Sequence, residues 1–118
     1  MKQVKNALSS QFNVKDLGDL HYFLGVKVEQ YKDGSIWIGQ PTYTSNILEK
    51  FGMKEAKPMG TPVSTDLKLV KAKDSDELFD EATFRSAVGS LQYLSTMTRP
   101  DITYAVSNVA KFCAKPTN

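Results

Sequence analysis

The sequence predicts an α+β fold, with a helix and a β-hairpin followed by a helical subdomain. Three observations carry this. Residues 22–40 alternate apolar and polar side chains on either side of Asp33-Gly34, the pattern of two strands around a tight turn. Residues 80–98 and 101–114 repeat apolar side chains at helical spacing on either side of Pro100. Between these regions, residues 53–79 hold Pro58, Gly60, Pro62 and many charges with neither period, and read as an extended connector. The chain therefore divides into residues 1–52, 53–79 and 80–118.

Residues 1–12 place Val4, Leu8 and Phe12 four apart with Ala7 beside them, while Lys2, Lys5 and Asn6 point away. That spacing predicts an amphipathic helix of about three turns. Gly18 between Asp16 and Asp19 then breaks the period. Leu24, Val26 and Val28 alternate with Gly25, Lys27 and Glu29, predicting a strand over residues 22–31. Asp33-Gly34 supplies a positive-φ pair, and the chain returns over residues 35–40 with Ile36 and Ile38 on one face. Pro41 opens a short helix whose apolar face is Tyr43, Ile47, Leu48 and Phe51, and Gly52 fits the residue just past its end. In the last helix the core face is Ile102, Ala105, Val106, Val109 and Cys113. No internal repeat or low-complexity tract interrupts this order.

The 118 residues fit one small domain or two half-sized subdomains, and can bury roughly two-thirds of their unfolded surface. Hydrophobic content of 41% and charged content of 24% are those of an ordinary globular chain. No apolar run approaches the roughly 20 residues of a membrane span, and no signal-peptide pattern opens the chain. With Cys113 as the single cysteine, no internal disulfide can form, which points to a reducing compartment. Cys113 itself reads as a small buried hydrophobe. The net charge of +2 conceals an asymmetry: residues 74–81 carry five acids and no base, leaving +7 on the remainder. A masked basic surface of this kind is compatible with a polyanionic partner.

The usual catalytic arrangements are absent from the pattern. Asp16 and Asp19 lie in a turn without a third ligand and read as solvated turn residues. The acids at 74–81 lack the spacing of a calcium loop and read as a solvated stretch that caps the next helix. His21 has no evident nucleophile beside it, and neither a phosphate loop nor zinc spacing occurs. The informative feature is Gly89. At about 100° per residue, Phe84, Ala87, Val88, Leu91 and Leu94 gather on one side of their helix. Arg85, Gly89, Gln92, Tyr93 and Thr96 gather on the other. A glycine within a helix costs about 1 kcal/mol relative to alanine, and a bare spot among polar groups lets another backbone approach closely. A sugar-phosphate chain, a partner protein, and plain helix packing or drift all fit that spot.

Several blocks of the sequence, in order, resemble the reverse transcriptase of copia-type long-terminal-repeat retrotransposons: KDLGDLHYFLGVKVEQ, FGM, TPV, FRSAVGSLQYLSTMTRPDITYAVS and KFCAKP. They cover nearly the whole chain. The resemblance implies that residues 1–52 form the edge of a palm with a primer-grip-like hairpin, and that residues 80–118 form a thumb-like subdomain. Leu24 and Gly25 match the core of the primer grip. Gly89 and Tyr93 match the close-approach glycine and the aromatic of a thumb helix lying in the minor groove of the template–primer duplex, and Arg85 falls where a polar residue of that track is expected. With Gln92 and Thr96 these residues form the expected nucleic-acid-binding set. An RNA-containing duplex near A-form offers the wide, shallow groove such a helix face can touch.

The resemblance also implies that the Y-x-D-D turn, whose aspartates would hold two Mg²⁺ ions, precedes the helix matched by residues 1–12, and that a ribonuclease H region follows residue 118. No catalytic or metal-binding residue, and no cofactor, is then expected of this chain by itself. Its expected partners are the RNA/DNA template–primer duplex and the palm, fingers and ribonuclease H regions of the parent polyprotein. Self-association of the isolated hairpin is a further expectation, and a membrane is not. The expected location is intracellular, in cytoplasmic virus-like particles or in the nucleus. The rival expectation is a domesticated or truncated, non-catalytic protein-interaction module.

Overall fold

A computed structural model of the chain describes residues 2–64 and 68–117. Met1, residues 65–67 and Asn118, which fall in the expected first helix, connector and last subdomain, lie outside the described residues. The α+β class holds: helices accompany a three-stranded antiparallel sheet of order β1-β2-β3.

Helix α1 spans Lys2–Gln11. Its stripe is present but uncovered, with Val4, Leu8 and Phe12 between 46% and 63% exposed. The segment after it is tied back by Lys5, whose Nζ lies 2.6 Å from Asp16. The other Asp16 oxygen accepts a hydrogen bond from the Gly18 N–H at 3.0 Å.

The sheet corrects the expected hairpin in two places. The strand predicted over residues 22–31 is broken into β1 (Tyr22–Phe23) and β2 (Val26–Gln30). Phe23 pairs with Val26, so Leu24 and Gly25 form a two-residue turn, with φ of 50° and 79°. Positive φ at both central residues marks the turn whose twist matches that of paired strands. Leucine in this region costs roughly 1–2 kcal/mol, a cost glycine at position 25 escapes. Leu24 therefore does not alternate with Val26 and Val28.

At the second turn, joining β2 to β3 (Ile36–Gly39), Gly34 has φ 87° but Asp33 does not share it. The Gly34 N–H donates to the Tyr31 carbonyl at 3.0 Å, and the Tyr31 N–H donates to the Ser35 carbonyl at 2.9 Å. This is the three-residue loop in which a left-handed glycine follows an ordinary turn, not a positive-φ pair. Asp33 contributes its carboxylate instead, accepting from the Ser35 N–H at 2.9 Å and the Ser35 hydroxyl at 2.7 Å.

Helix α2 (Pro41–Lys50) has the expected proline start. Beyond its end the Gly52 N–H donates to the Glu49 carbonyl and the Met53 N–H to the Leu48 carbonyl, which satisfies two orphan carbonyls. Helix α3 (Glu81–Met97) starts on Asp80, whose carboxylate accepts from the Thr83 N–H at 2.7 Å, so the acidic stretch does cap the helix. A 3₁₀ turn over Pro100–Ile102 leads into α4 (Thr103–Ala110). The helix expected to reach residue 114 stops early: Phe112, Cys113 and Lys115 donate to carbonyls three residues back. Pro116 also disfavours the helical conformation at Lys115.

The core lies among α2, α3 and α4, where Ile47, Val88, Leu94 and Val106 are buried. Helix α2 runs antiparallel to α3. Thr98 Oγ1 donates to the buried Gln40 amide oxygen at 3.0 Å, the Tyr43 hydroxyl reaches the Ser90 carbonyl at 3.5 Å, and Lys50 Nζ donates to Ser86 Oγ at 2.7 Å. The end of the connector closes on the C-terminus, where the Phe79 N–H donates to the Pro116 carbonyl at 2.8 Å. The radius of gyration is 20.4 Å, against about 13–14 Å for a compact chain of this length. The chain is therefore elongated, with extents of 67 × 33 × 23 Å.

Candidate nucleic-acid interface

The residues predicted to bind nucleic acid fall into three arrangements around α3. The two-sided helix read from the sequence becomes three stripes. Val88, Leu94 and Ser95 are buried, and Ser86, Ser90 and Tyr93 meet α2. Arg85, Gly89, Gln92 and Thr96 are exposed. At a rise of about 1.5 Å per residue, this uncovered stripe is roughly 16 Å long.

Gly89 sits within it. A Cβ built on Gly89 meets no atom within 4 Å, so no side chain or backbone of the described residues requires a glycine there. Helix packing within the chain, one of the three explanations left open by the sequence, is thereby removed. The neighbouring groups are partly engaged. Arg85 pairs with Glu81 one turn earlier, and its Nε donates to the Cys113 carbonyl at 3.3 Å, so it holds the chain after α4 against α3. Thr96 Oγ1 donates to the Gln92 carbonyl at 2.9 Å, leaving its lone pairs outward. The stripe is polar and nearly neutral rather than strongly basic.

Tyr93 stands apart from this stripe. Its ring meets Tyr43 edge-on, with centroids 5.0 Å apart and planes at 78°. Its hydroxyl donates to the Leu24 carbonyl at 3.0 Å, and lies 3.8 Å from where a Gly25 Cβ would stand. The structure thus brings Leu24, Gly25 and Tyr93 together and sets Arg85, Gly89, Gln92 and Thr96 beside them. Sequence reasoning missed Tyr43 and the left-handed turn. The only local signal for the turn was Gly25 between residues suited to strands.

The sheet adds a mixed polar face. The register sets Glu29 opposite Trp37 and Lys27 opposite Gly39. Lys27 Nζ lies 2.5 Å from Glu29, whose carboxylate also accepts from the Tyr31 hydroxyl at 2.8 Å. The Lys27 and Tyr31 hydrogen bonds hold the Glu29 carboxyl below its ordinary range. The Trp37 indole covers Gly39, and any Cβ at position 39 would overlap it.

Asp16 already serves Lys5 and the Gly18 N–H, and among the described residues no three His, Cys, Asp or Glu side chains converge. His21 is exposed, and the Val28 N–H donates to its backbone carbonyl at 2.8 Å. Among the described residues no helix is long and apolar enough to cross a membrane.

Comparison with known proteins places this geometry in a family. Residues 1–65 match the family described as reverse transcriptase (RNA-dependent DNA polymerase). The chain is 46% identical to an uncharacterized mitochondrial protein of Arabidopsis thaliana over 110 residues, 93% of this chain and 44% of that protein. It is 40% identical to the retrovirus-related Pol polyprotein from transposon RE2 of Arabidopsis thaliana over 118 residues, 100% of this chain and 8% of the polyprotein. The retrovirus-related Pol polyprotein from transposon TNT 1-94 of Nicotiana tabacum is 38% identical over 120 residues, 97% of this chain and 9% of its own length. The chain thus spans less than half of each of these relatives. No solved structure matches it. The α3–α4 region lies beyond the family match, but the similarity to the polyproteins extends over it. The chain belongs to the reverse transcriptase (RNA-dependent DNA polymerase) family, and it is similar to a segment of retrotransposon Pol polyproteins.

Proposed function

We propose that this segment holds and orients the template–primer duplex during RNA-directed DNA synthesis, and contributes no catalytic carboxylate of its own. The uncovered stripe of α3 lies along the minor groove of the duplex, with Gly89 at the point of closest approach and Arg85, Gln92 and Thr96 around it. The Leu24–Gly25 turn lies beside the primer strand. One observation carries this reading: Gly89 is exposed and a Cβ there would meet open space, so internal packing does not require the glycine and a closely approaching duplex would. The near-neutral stripe suits sugar and phosphate contacts that hold a duplex without reading its sequence.

The phosphoryl-transfer chemistry would reside on carboxylates elsewhere in the polyprotein, where the metal ions bind. The partners under this reading are the duplex and the other polymerase and ribonuclease H regions, inside the cell. The test is nucleotide incorporation on a primed RNA template with magnesium or manganese, run beside a duplex titration. Duplex binding without incorporation is the expected result. Incorporation above a heat-killed control contradicts the non-catalytic assignment, and absence of binding at low salt contradicts the duplex-holding role.

A second reading, a protein-interaction module, is favoured by α1, where Val4, Leu8 and Phe12 present an exposed apolar stripe. It predicts that replacing Leu8 and Phe12 with serine abolishes binding to the remainder of the polyprotein while duplex affinity stays unchanged.

A further inference from the structure

We propose that Tyr93 is a positioning residue, a latch that fixes the Leu24–Gly25 turn to α3 so that the turn and the Gly89 stripe form one rigid surface. The resemblance assigns this aromatic to direct contact with the duplex; the geometry points to a different use. The Tyr93 hydroxyl is committed to the Leu24 carbonyl at 3.0 Å, and its ring is held by the edge of Tyr43. Tyr43 is in turn anchored through its hydroxyl to the Ser90 carbonyl, one turn before Leu94 on the same helix. Leu24 has φ of 50°, a conformation leucine avoids, and its carbonyl is the atom the latch holds. Among the described residues this hydrogen bond ties the turn to α3 across 69 residues of sequence. A duplex touching both the turn and the stripe gains from having them held at a fixed spacing, since the second contact then forms without a further loss of freedom.

The inference rests on the duplex reading for its consequence, but its structural part is measurable without nucleic acid. The experiment uses the full chain, Tyr93→Phe, and Tyr93→Phe in a Leu24→Gly background, with an RNA–DNA hybrid carrying a recessed 3′ end as the probe. Tyr93→Phe removes the hydroxyl alone. The Gly25 and Val26 amides should then exchange with solvent about two- to tenfold faster, the range for one lost hydrogen bond, while α3 amides keep their rates. Hybrid affinity should fall by a similar factor. In the Leu24→Gly background the turn no longer depends on the latch for its backbone conformation, so the exchange difference should shrink.

Unchanged turn exchange in Tyr93→Phe overturns the latch. Faster turn exchange with unchanged affinity overturns the positioning role, because phenylalanine keeps the ring and only a stacking contact would survive. If the wild-type chain fails to bind the hybrid while turn exchange still rises, the latch stands and the duplex reading falls.

Discussion

The N-terminal region and the helical region were equally legible as local patterns, yet they differ in what their patterns accomplish. In α3, Leu94 is 4% exposed; in α1, Leu8 is 46% exposed, although both occupy the apolar stripe of an amphipathic helix. The sheet resembles α1, with Ile36, Ile38 and Phe23 all more than half exposed. Amphipathic spacing therefore states which face a helix offers, and only a partner decides whether that face is buried. In α2–α4 the partner is within the chain. For α1 and the sheet it is not among the described residues.

The contrast is broken most directly by truncating one leucine in each region. Leu94→Ala should cost about 2–5 kcal/mol, as expected for a buried leucine whose neighbours cannot close the gap. Leu8→Ala should change stability far less, by about 0.5 kcal/mol, because nearly half of the residue is already in water and no neighbouring element closes over it. Urea melts followed by far-ultraviolet circular dichroism measure both. Equal losses would mean that α1 is packed in solution and that the two regions do not differ.

A smaller effect sharpens the boundary of the helical region. Hydrogen bonding to Thr83 holds the Asp80 carboxyl below the ordinary aspartate range. A carboxyl whose folded pKa is lowered contributes stability that is present above its unfolded pKa and lost as pH falls through the folded one. The start of α3 should therefore fray below about pH 4 in the wild type. Asp80→Asn, which caps without ionising, should remove that part of the acid dependence, and Asp80→Ala should lower stability at neutral pH too. The measurement is a set of thermal melts across pH 2.5–7 for the three chains; identical profiles would contradict the cap.

Another small change in stability has the opposite sign. Gly89→Ala should raise stability by about 0.5–1 kcal/mol, because alanine is the better helix former and its methyl group meets open space. Destabilisation in the same urea melts would show a close contact at position 89.

Much of this architecture was visible in the sequence because the signals were local. Pro41 and Gly52 bracket α2, Asp80 precedes α3, and the spacing of Val88, Leu91 and Leu94 marks the inner face of α3. Three features had no local signal. Leu24 gives no hint of a left-handed conformation, since leucine rarely adopts one. The Tyr93 contact with Leu24 joins residues from distant parts of the chain. The third stripe of α3 exists because α2 folds back antiparallel, and helical spacing alone offers only two sides. Of the candidate site, the uncovered stripe around Gly89 was legible and the contacts of Tyr93 with Leu24 and Tyr43 were not.

The central claim is that Gly89 is kept bare for a duplex. The measurement that tests it most directly is a titration of an RNA–DNA hybrid at low and moderate salt, beside a thermal melt, for the wild type and Gly89→Val. Wild-type binding should be weak, fall with added salt and depend little on sequence. Gly89→Val should show a clear loss of affinity, with a melting temperature equal to or above that of the wild type. Unchanged affinity in a folded Gly89→Val chain would contradict the claim.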